Sequence, residues 1–141
     1  MNVALTPDTF SFPIRVYYED TDSGGVVYYA NYLKFLERAR TEWLRAAGFE
    51  QPELLRDHNV IFVVRSVAIE YLRPAQFNDE LVVTVQMKKL GRSTIEVFQT
   101  VERDARLVEA SVKIVCVDGA SFKPVSIPPH IRQPLESLPH A

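Results

Sequence analysis

Residues 18–32 read Tyr-Glu-Asp-Thr-Asp-Ser-Gly-Gly-Val-Val-Tyr-Tyr-Ala-Asn-Tyr. Three acids, Glu19, Asp20 and Asp22, come first; Gly24 and Gly25 follow, and then a cluster of aromatics. A carboxylate held beside a bound carbonyl compound can attack its carbon or activate a water to do so. Either step puts charge on the carbonyl oxygen. The first turn of a helix can take up that charge, because its backbone N–H groups lack partners and its dipole is positive there. Gly24 and Gly25 allow a sharp bend and let a ligand approach the main chain closely. Acids, turn and helix start thus stand in an order that suits attack on a carbonyl.

Other uses of the same residues have to be set beside this one. Asp and Gly ahead of a helix also serve as turn and capping residues, and the isolated pattern leaves both uses open. A calcium loop begins well, since Asp20, Asp22 and Gly25 match its first, third and sixth positions. It then fails. Gly24 brings no side-chain oxygen at the fifth position, Asn31 stands where a bidentate Glu is needed, and a strand rather than a helix precedes the loop. The three histidines, His58, His130 and His140, have no metal-ligand spacing, so no metal is expected. There is no Gly-x-Ser-x-Gly elbow and no glycine-rich nucleotide fingerprint. Cys116 is the single cysteine, and its apolar neighbours make it a small buried residue rather than a nucleophile.

The elements around this segment can be read from periodicity. Residues 13–19 form a first strand with Ile14, Val16 and Tyr18 on one face. Residues 20–28 are turn-rich. A helix follows over residues 29–47, with Tyr32, Phe35, Leu36, Ala39, Trp43, Ala46 and Ala47 on its apolar face. Lys34, Glu37, Arg38, Thr41, Glu42 and Arg45 take the other face, where Arg38 and Glu42 can pair. Gly48 stands where a helix end wants a left-handed residue. An irregular piece leads to strands over 60–72, 80–90, 93–103 and 106–118. Gly91-Arg92 and Asp104-Ala105 are the hairpin turns, and residues 77–79 a loop. Links this short cannot make parallel crossovers, so the sheet is antiparallel. The class is α+β, one long helix against one curved sheet of about five strands.

Composition agrees with one domain spanning residues 1–141, with an N-terminal arm over 1–12 and a Pro-rich tail over 124–141. Hydrophobic residues make up 47% of the chain and charged residues 24%, a globular balance. The net charge of −2 speaks against a nucleic-acid partner. No secretory signal or membrane-length apolar run is visible, which makes the cytoplasm the expected location. Pro124, Pro128, Pro129, Pro134 and Pro139 make the tail extended, with at most a short strand near Val125. A chain of this size leaves much surface outside its core, so oligomerisation would bury more.

The motif carries a resemblance. Residues 16–22 (Val-Tyr-Tyr-Glu-Asp-Thr-Asp), 25–28 (Gly-Val-Val-Tyr), 30–35 (Ala-Asn-Tyr-Leu-Lys-Phe) and 37–42 (Glu-Arg-Ala-Arg-Thr-Glu) resemble the tol-pal system-associated acyl-CoA thioesterases, within the 4-hydroxybenzoyl-CoA thioesterase group. Weaker similarity runs through residues 62–65, 70–75 and 115–118. The resemblance implies a hotdog fold and hydrolysis of an acyl-CoA thioester without metal or organic cofactor. It implies dimers whose sheets join edge to edge, commonly paired again into tetramers, which would cover an open sheet edge. Carried over by position, the catalytic carboxylate falls on Asp22, as nucleophile or general base. The backbone N–H that polarises the thioester carbonyl falls on Tyr29, and Gly25 and Val26 lie against substrate.

Many tol-pal-associated members have His at the place of Tyr29, whereas the benzoyl-type members have Tyr there. A tyrosine of ordinary pKa, about 10, is a poor base at neutral pH, so the change bears on acyl preference. Lys88, Lys89 and Arg92 cluster near a hairpin turn; they can hold CoA phosphates or simply be solvated. Glu19 and Asp20 are expected to cap or to pair with Arg15 or Arg65. Trp43 is expected in the core or a dimer contact, Glu37 against a partner subunit, and His58 in an exposed polar loop. A hotdog dehydratase would need a histidine near the motif, and none is there. The remaining alternative is a non-catalytic module binding an acyl carrier protein or an envelope complex; Asp22 with both glycines favours an enzyme.

Overall fold

The computed structural model describes residues 9–138. Residues 1–8, most of the expected arm, and residues 139–141, with Pro139 and His140, lie outside the described part. The elements are β1 (Phe10–Arg15), a 3-10 turn (Tyr18–Asp20), α1 (Asn31–Ala46), α2 (Gln51–His58), β2 (Val60–Tyr71), β3 (Glu80–Leu90), β4 (Thr94–Glu102), β5 (Arg106–Asp118) and α3 (Pro129–Glu136). The five strands form one sheet in the order β1-β3-β4-β5-β2, and every neighbouring pair is antiparallel. Helix α1 packs against β1, β3 and β4. This is the hotdog arrangement.

The core follows from two periodicities meeting. Leu81, Val83, Val85 and Met87 alternate inward on β3, as do Ile95 and Val97 on β4, and all are buried. Tyr32, Phe35, Leu36, Ala39 and Trp43 of α1 are buried against them. Leu44 completes the stripe, and Ala46, expected there, is exposed. One polar residue breaks the inward pattern of β4. Gln99 is fully buried; its amide donates to the Leu36 carbonyl at 3.1 Å and its oxygen accepts from Arg40 at 3.0 Å. Two bonds satisfy what burial would otherwise leave costly, and they pin α1 to the sheet.

Helix α1 ends as expected. Gly48 has φ of +96°, its N–H reaches the Arg45 carbonyl, and the Phe49 N–H reaches the Leu44 carbonyl at 2.9 Å. Gly48→Ala places a Cβ in this left-handed conformation and is expected to cost about 1 kcal/mol. A lower urea midpoint with unchanged slope is the readout. On the exposed face Glu42 pairs with Arg45, not with Arg38, whose guanidinium lies 5.8 Å from the centre of the Phe35 ring.

Several boundaries differ from the sequence-based expectations. The first strand runs earlier, over 10–15 rather than 13–19. The Tyr17 N–H turns away to the Asp20 carboxylate at 2.8 Å and the 3-10 turn begins, which ends sheet pairing. Ile14 and Val16 are buried as expected, but Tyr18 is exposed and stacks on Phe77 with ring centres 3.7 Å apart. The expected irregular piece contains α2, which buries only Leu54 and so shows no helical period; Asn59, with φ of 54°, ends it. The tail is not extended throughout. Pro128 and Pro129 stand at the start of α3, where a missing N–H costs nothing, and Ile131 and Leu135 bury one face. Before it, Pro124 bridges Val117 and the Val125 N–H bonds the Cys116 carbonyl at 3.0 Å, so a strand-like contact does occur near Val125.

Cys116 is buried on β5, and burial pushes its thiol up to about 11. It therefore stays protonated near neutral pH and out of reach of reagents. The expected result is no labelling by a thiol reagent at pH 8 in the native state and one equivalent in urea. No described helix is long and apolar enough to cross a membrane.

Candidate active site

The loop that carries Asp22 is a miniature hairpin. Thr21 bridges Val27, the Asp22 N–H donates to the Val26 carbonyl at 2.9 Å, and the Gly25 N–H donates to the Asp22 carbonyl at 3.1 Å. Gly25 has φ of +79°, which only glycine adopts freely. Gly24 meets the carboxylate: its N–H donates to Asp22 Oδ1 at 2.8 Å, and a Cβ there would stand 3.2 Å from that oxygen. The loop is stapled to the segment before β3, through a Val26–Gln76 bridge and the Val27 N–H on the Ala75 carbonyl at 2.8 Å. Asp22 is therefore a turn residue, but only by one oxygen. Its Oδ2 makes no hydrogen bond among the described residues, and the side chain is exposed in the single chain.

The buried acid is Asp20, 5% exposed. It pairs with neither Arg15 nor Arg65. Arg15 is engaged by Glu80 and Asn78. Asp20 Oδ2 accepts from the Tyr17 N–H, Oδ1 accepts from the Asn31 side-chain amide at 2.8 Å, and the Asp20 carbonyl accepts the Tyr28 N–H at 3.0 Å. One residue thus joins the strand end, the loop exit and the first residue of α1.

Tyr29 lies two residues ahead of α1 rather than inside it. The Tyr28 carbonyl accepts the Asn31 N–H at 2.8 Å, and in a planar trans peptide the next N–H points the opposite way. The Tyr29 N–H is directed out ahead of the helix and has no partner among the described residues; the Ala30 N–H has none either. These amides sit at the positive end of the α1 dipole. An oxyanion could be received there.

Tyrosines surround this point. Tyr29 meets Tyr28 at 4.7 Å and Tyr71 at 6.2 Å between ring centres, and Tyr71 meets Tyr32 at 5.6 Å. Tyr29, Tyr32, Tyr71 and Arg73 border a hollow of about 240 Å³. A hydrogen bond with Tyr29 pushes the Tyr28 phenol up, and burial does the same for Tyr71. Both stay neutral donors, not bases, at neutral pH.

The basic residues lie elsewhere. Lys88 and Lys89 are exposed at the far end of β3, where the register shifts between Met87 and Lys89. Arg92 donates to Ser126 at 2.6 Å and its carbonyl takes the Ile127 N–H at 2.9 Å, so the hairpin is tied to the C-terminal segment. The Asp22 loop is fastened near the start of β3, and an 11-residue strand is about 33 Å long. Within one chain, Lys88, Lys89 and Arg92 are not brought to Asp22.

A second cavity, about 370 Å³, opens between α1 and β2, bordered by Glu37, Arg40, Trp43, Phe62 and Val64 among others. Trp43 is buried as expected, with its indole N–H unpartnered among the described residues. His58 closes α2 rather than standing in a loop, and its ring nitrogens Nδ1 and Nε2 lie 3.1 and 3.2 Å from His130 Nε2. No cluster of three or more His, Cys, Asp or Glu able to hold a metal occurs among the described residues. Sequence reasoning missed Asn31, Arg40, Tyr71 and Gln99. Only Gln99 left a signal, as a polar residue at an inward position of β4.

Comparison with known proteins identifies the family. Residues 16–135 match the model of the thioesterase-like superfamily. The chain is 45% identical over 130 residues to an acyl-CoA thioesterase YbgC of Haemophilus influenzae, covering 92% of this chain and 96% of that protein. It is 44% identical over 133 residues to an acyl-CoA thioester hydrolase YbgC of Escherichia coli, covering 93% and 96%. A probable thioesterase from Bartonella henselae has the same fold, with a TM-score of 0.82, 35% identity and coverage of 85% and 99%.

Proposed function

This chain belongs to the thioesterase-like superfamily and is an acyl-CoA thioester hydrolase, and we propose that Asp22 and the Tyr29 amide carry its reaction. The observation that supports this most directly is the presence of two unused groups in the same short segment ahead of α1. Asp22 keeps one carboxylate oxygen free in a loop built around the other, and the Tyr29 N–H, at the head of α1, is free as well. A thioester carbonyl between them has its oxygen polarised by the amide while Asp22 attacks the carbon or takes a proton from an attacking water. Collapse of the tetrahedral species expels the CoA thiolate and leaves the free acid or, where Asp22 has attacked, a mixed anhydride that water then opens to the free acid and the Asp22 carboxylate. Gly25 and Val26 form the floor against which the substrate lies.

The rest of the substrate calls for a second subunit. Strand β2 is an edge of the sheet, and Val64 and Val67 on it are exposed. Two copies joined antiparallel through β2 place the Val60 end of one strand beside the Tyr71 end of the other. That join brings the partner's α1–β2 cavity and basic hairpin toward the Asp22 loop, which gives the acyl group a pocket and the CoA phosphates Lys88, Lys89 and Arg92. A homodimer is then the smallest complete unit, and two dimers make the tetramer. Glu37, bordering that cavity, would face the partner. An acyl carrier protein presents the same thioester on the same kind of phosphopantetheine arm and is a second acceptable donor. The resemblance to the tol-pal-associated branch suggests work alongside that envelope system, from the cytoplasm where CoA esters are met. Tyr29 in place of histidine bears on which acyl groups are taken.

The test is thiol release by the purified protein from a panel of aliphatic and aromatic acyl-CoA esters. Turnover of at least one is expected. Binding without release from any would point to a non-catalytic acyl-binding module.

A further inference from the structure

We propose that Tyr71 is a positioning residue for the thioesterase reaction, its hydroxyl holding the Tyr29 carbonyl and so fixing residue 29, whose N–H faces the substrate. This rests on the assignment of the Tyr29 amide as the group that receives the oxyanion.

Four main-chain groups define the orientation of residues 28 and 29. The Tyr28 N–H is held by the Asp20 carbonyl at 3.0 Å and the Tyr28 carbonyl by the Asn31 N–H at 2.8 Å. The Tyr29 N–H is left for substrate. The Tyr29 carbonyl, in the next peptide plane, anchors the other side of residue 29 and limits its swing about Cα, and two groups reach it. The Tyr32 N–H does so at 3.4 Å, long for such a bond, whereas the Tyr71 hydroxyl donates at 3.1 Å. Without the hydroxyl, the residue just outside the helix keeps only that long contact, in the region where helices fray.

Tyr71 is itself well held. It is the last residue of β2, paired with Val108 of β5, and the following Leu72 N–H bonds the Leu107 carbonyl at 2.8 Å. Its ring meets Tyr29 edge-on and leans on Tyr32, whose own hydroxyl accepts the Ala75 N–H at 2.9 Å. The hydroxyl is therefore delivered from a sheet strand to a loop 42 residues earlier in the chain. A group fixed to a rigid element and aimed at a loop next to the reacting atoms is what positioning requires.

Tyr71→Phe in the full chain keeps the ring contacts and removes only the hydroxyl. We expect kcat to fall about tenfold, with KM for the acyl-CoA within about twofold. The urea midpoint should stay close to wild type. Amide exchange at Asn31, whose N–H holds the Tyr28 carbonyl, followed by NMR, should quicken relative to amides in the body of α1. Tyr71→Leu, which also loses the ring, should lower stability too. Wild-type kcat in Tyr71→Phe, or a loss confined to KM, would overturn the role. Unchanged exchange at Asn31 would overturn it whatever the activity. Failure of the underlying assignment looks different: in Tyr71→Phe the exchange at Asn31 would quicken while kcat stayed at the wild-type value, so that Tyr71 holds the segment but the Tyr29 amide takes no part in the reaction.

Discussion

Asp22→Asn should fold normally and release thiol from acyl-CoA about 10³-fold more slowly than the parent, the scale of a lost acid–base or nucleophilic group. Asparagine is the informative choice because of what Asp22 does in the loop. Its Oδ1 accepts the Gly24 N–H at 2.8 Å, and an asparagine oxygen makes the same turn. The shape is kept while the charge is removed. If Asp22 were only a turn residue, the variant would hydrolyse at the wild-type rate, and that result would sink the proposed role. A fall in rate with a matching fall in the urea midpoint would trace the loss to the loop rather than to the chemistry. Single turnover in labelled water then separates the two mechanisms. Label entering the Asp22 carboxylate means attack by the carboxylate itself, whereas an activated water puts label in the product acid and none in Asp22.

Asp20→Ala should be the most damaging change in the loop for stability, by about 2–4 kcal/mol. The carboxylate is buried and accepts two hydrogen bonds, from the Tyr17 N–H and the Asn31 side-chain amide. Alanine leaves both donors without an acceptor, one of them on a buried side chain, and unmade bonds of buried groups carry their full desolvation cost. The damage should also reach the rate. Asn31 starts α1 and its N–H holds the Tyr28 carbonyl, so loosening Asn31 loosens the peptide that bears the Tyr29 N–H. Asp20→Asn keeps one accepting oxygen but turns an NH₂ toward a donor, and should fall between alanine and wild type. Urea denaturation measures the first effect and kcat the second. A midpoint for Asp20→Ala indistinguishable from wild type would show that water replaces the carboxylate at little cost.

The two acids illustrate how much of the site can be seen in the chain. Asp20 and Asp22 are two residues apart in the same polar stretch, and nothing local ranks them. Position-by-position resemblance selects Asp22 for chemistry. The structure adds that Asp20 is buried and fully engaged while Asp22 is exposed with one oxygen free. Burial depends on what α1 and the strand end bring to that spot, and no spacing reports it. The same holds for Lys88, Lys89 and Arg92. Their clustering is visible in the sequence, but their place at the far end of β3 from Asp22 follows from the direction of the strand in the sheet.

What the sequence determined by itself is what short-range rules govern. Strands β3 and β5 stand at their expected bounds, because alternation and flanking turn residues mark them on both sides. Helix α1 is legible from its apolar stripe, and its end from Gly48. Helices α2 and α3 are not, since one buries a single residue and the other begins among prolines that also suit an extended chain. Tertiary structure alone decided the partners: Asn31 with Asp20, Gln99 between Leu36 and Arg40, and Tyr71 with Tyr29. A period says which face a residue occupies, but not what stands opposite. That is set by sheet register and helix packing between residues distant in the chain, and those are fixed only when the whole core closes.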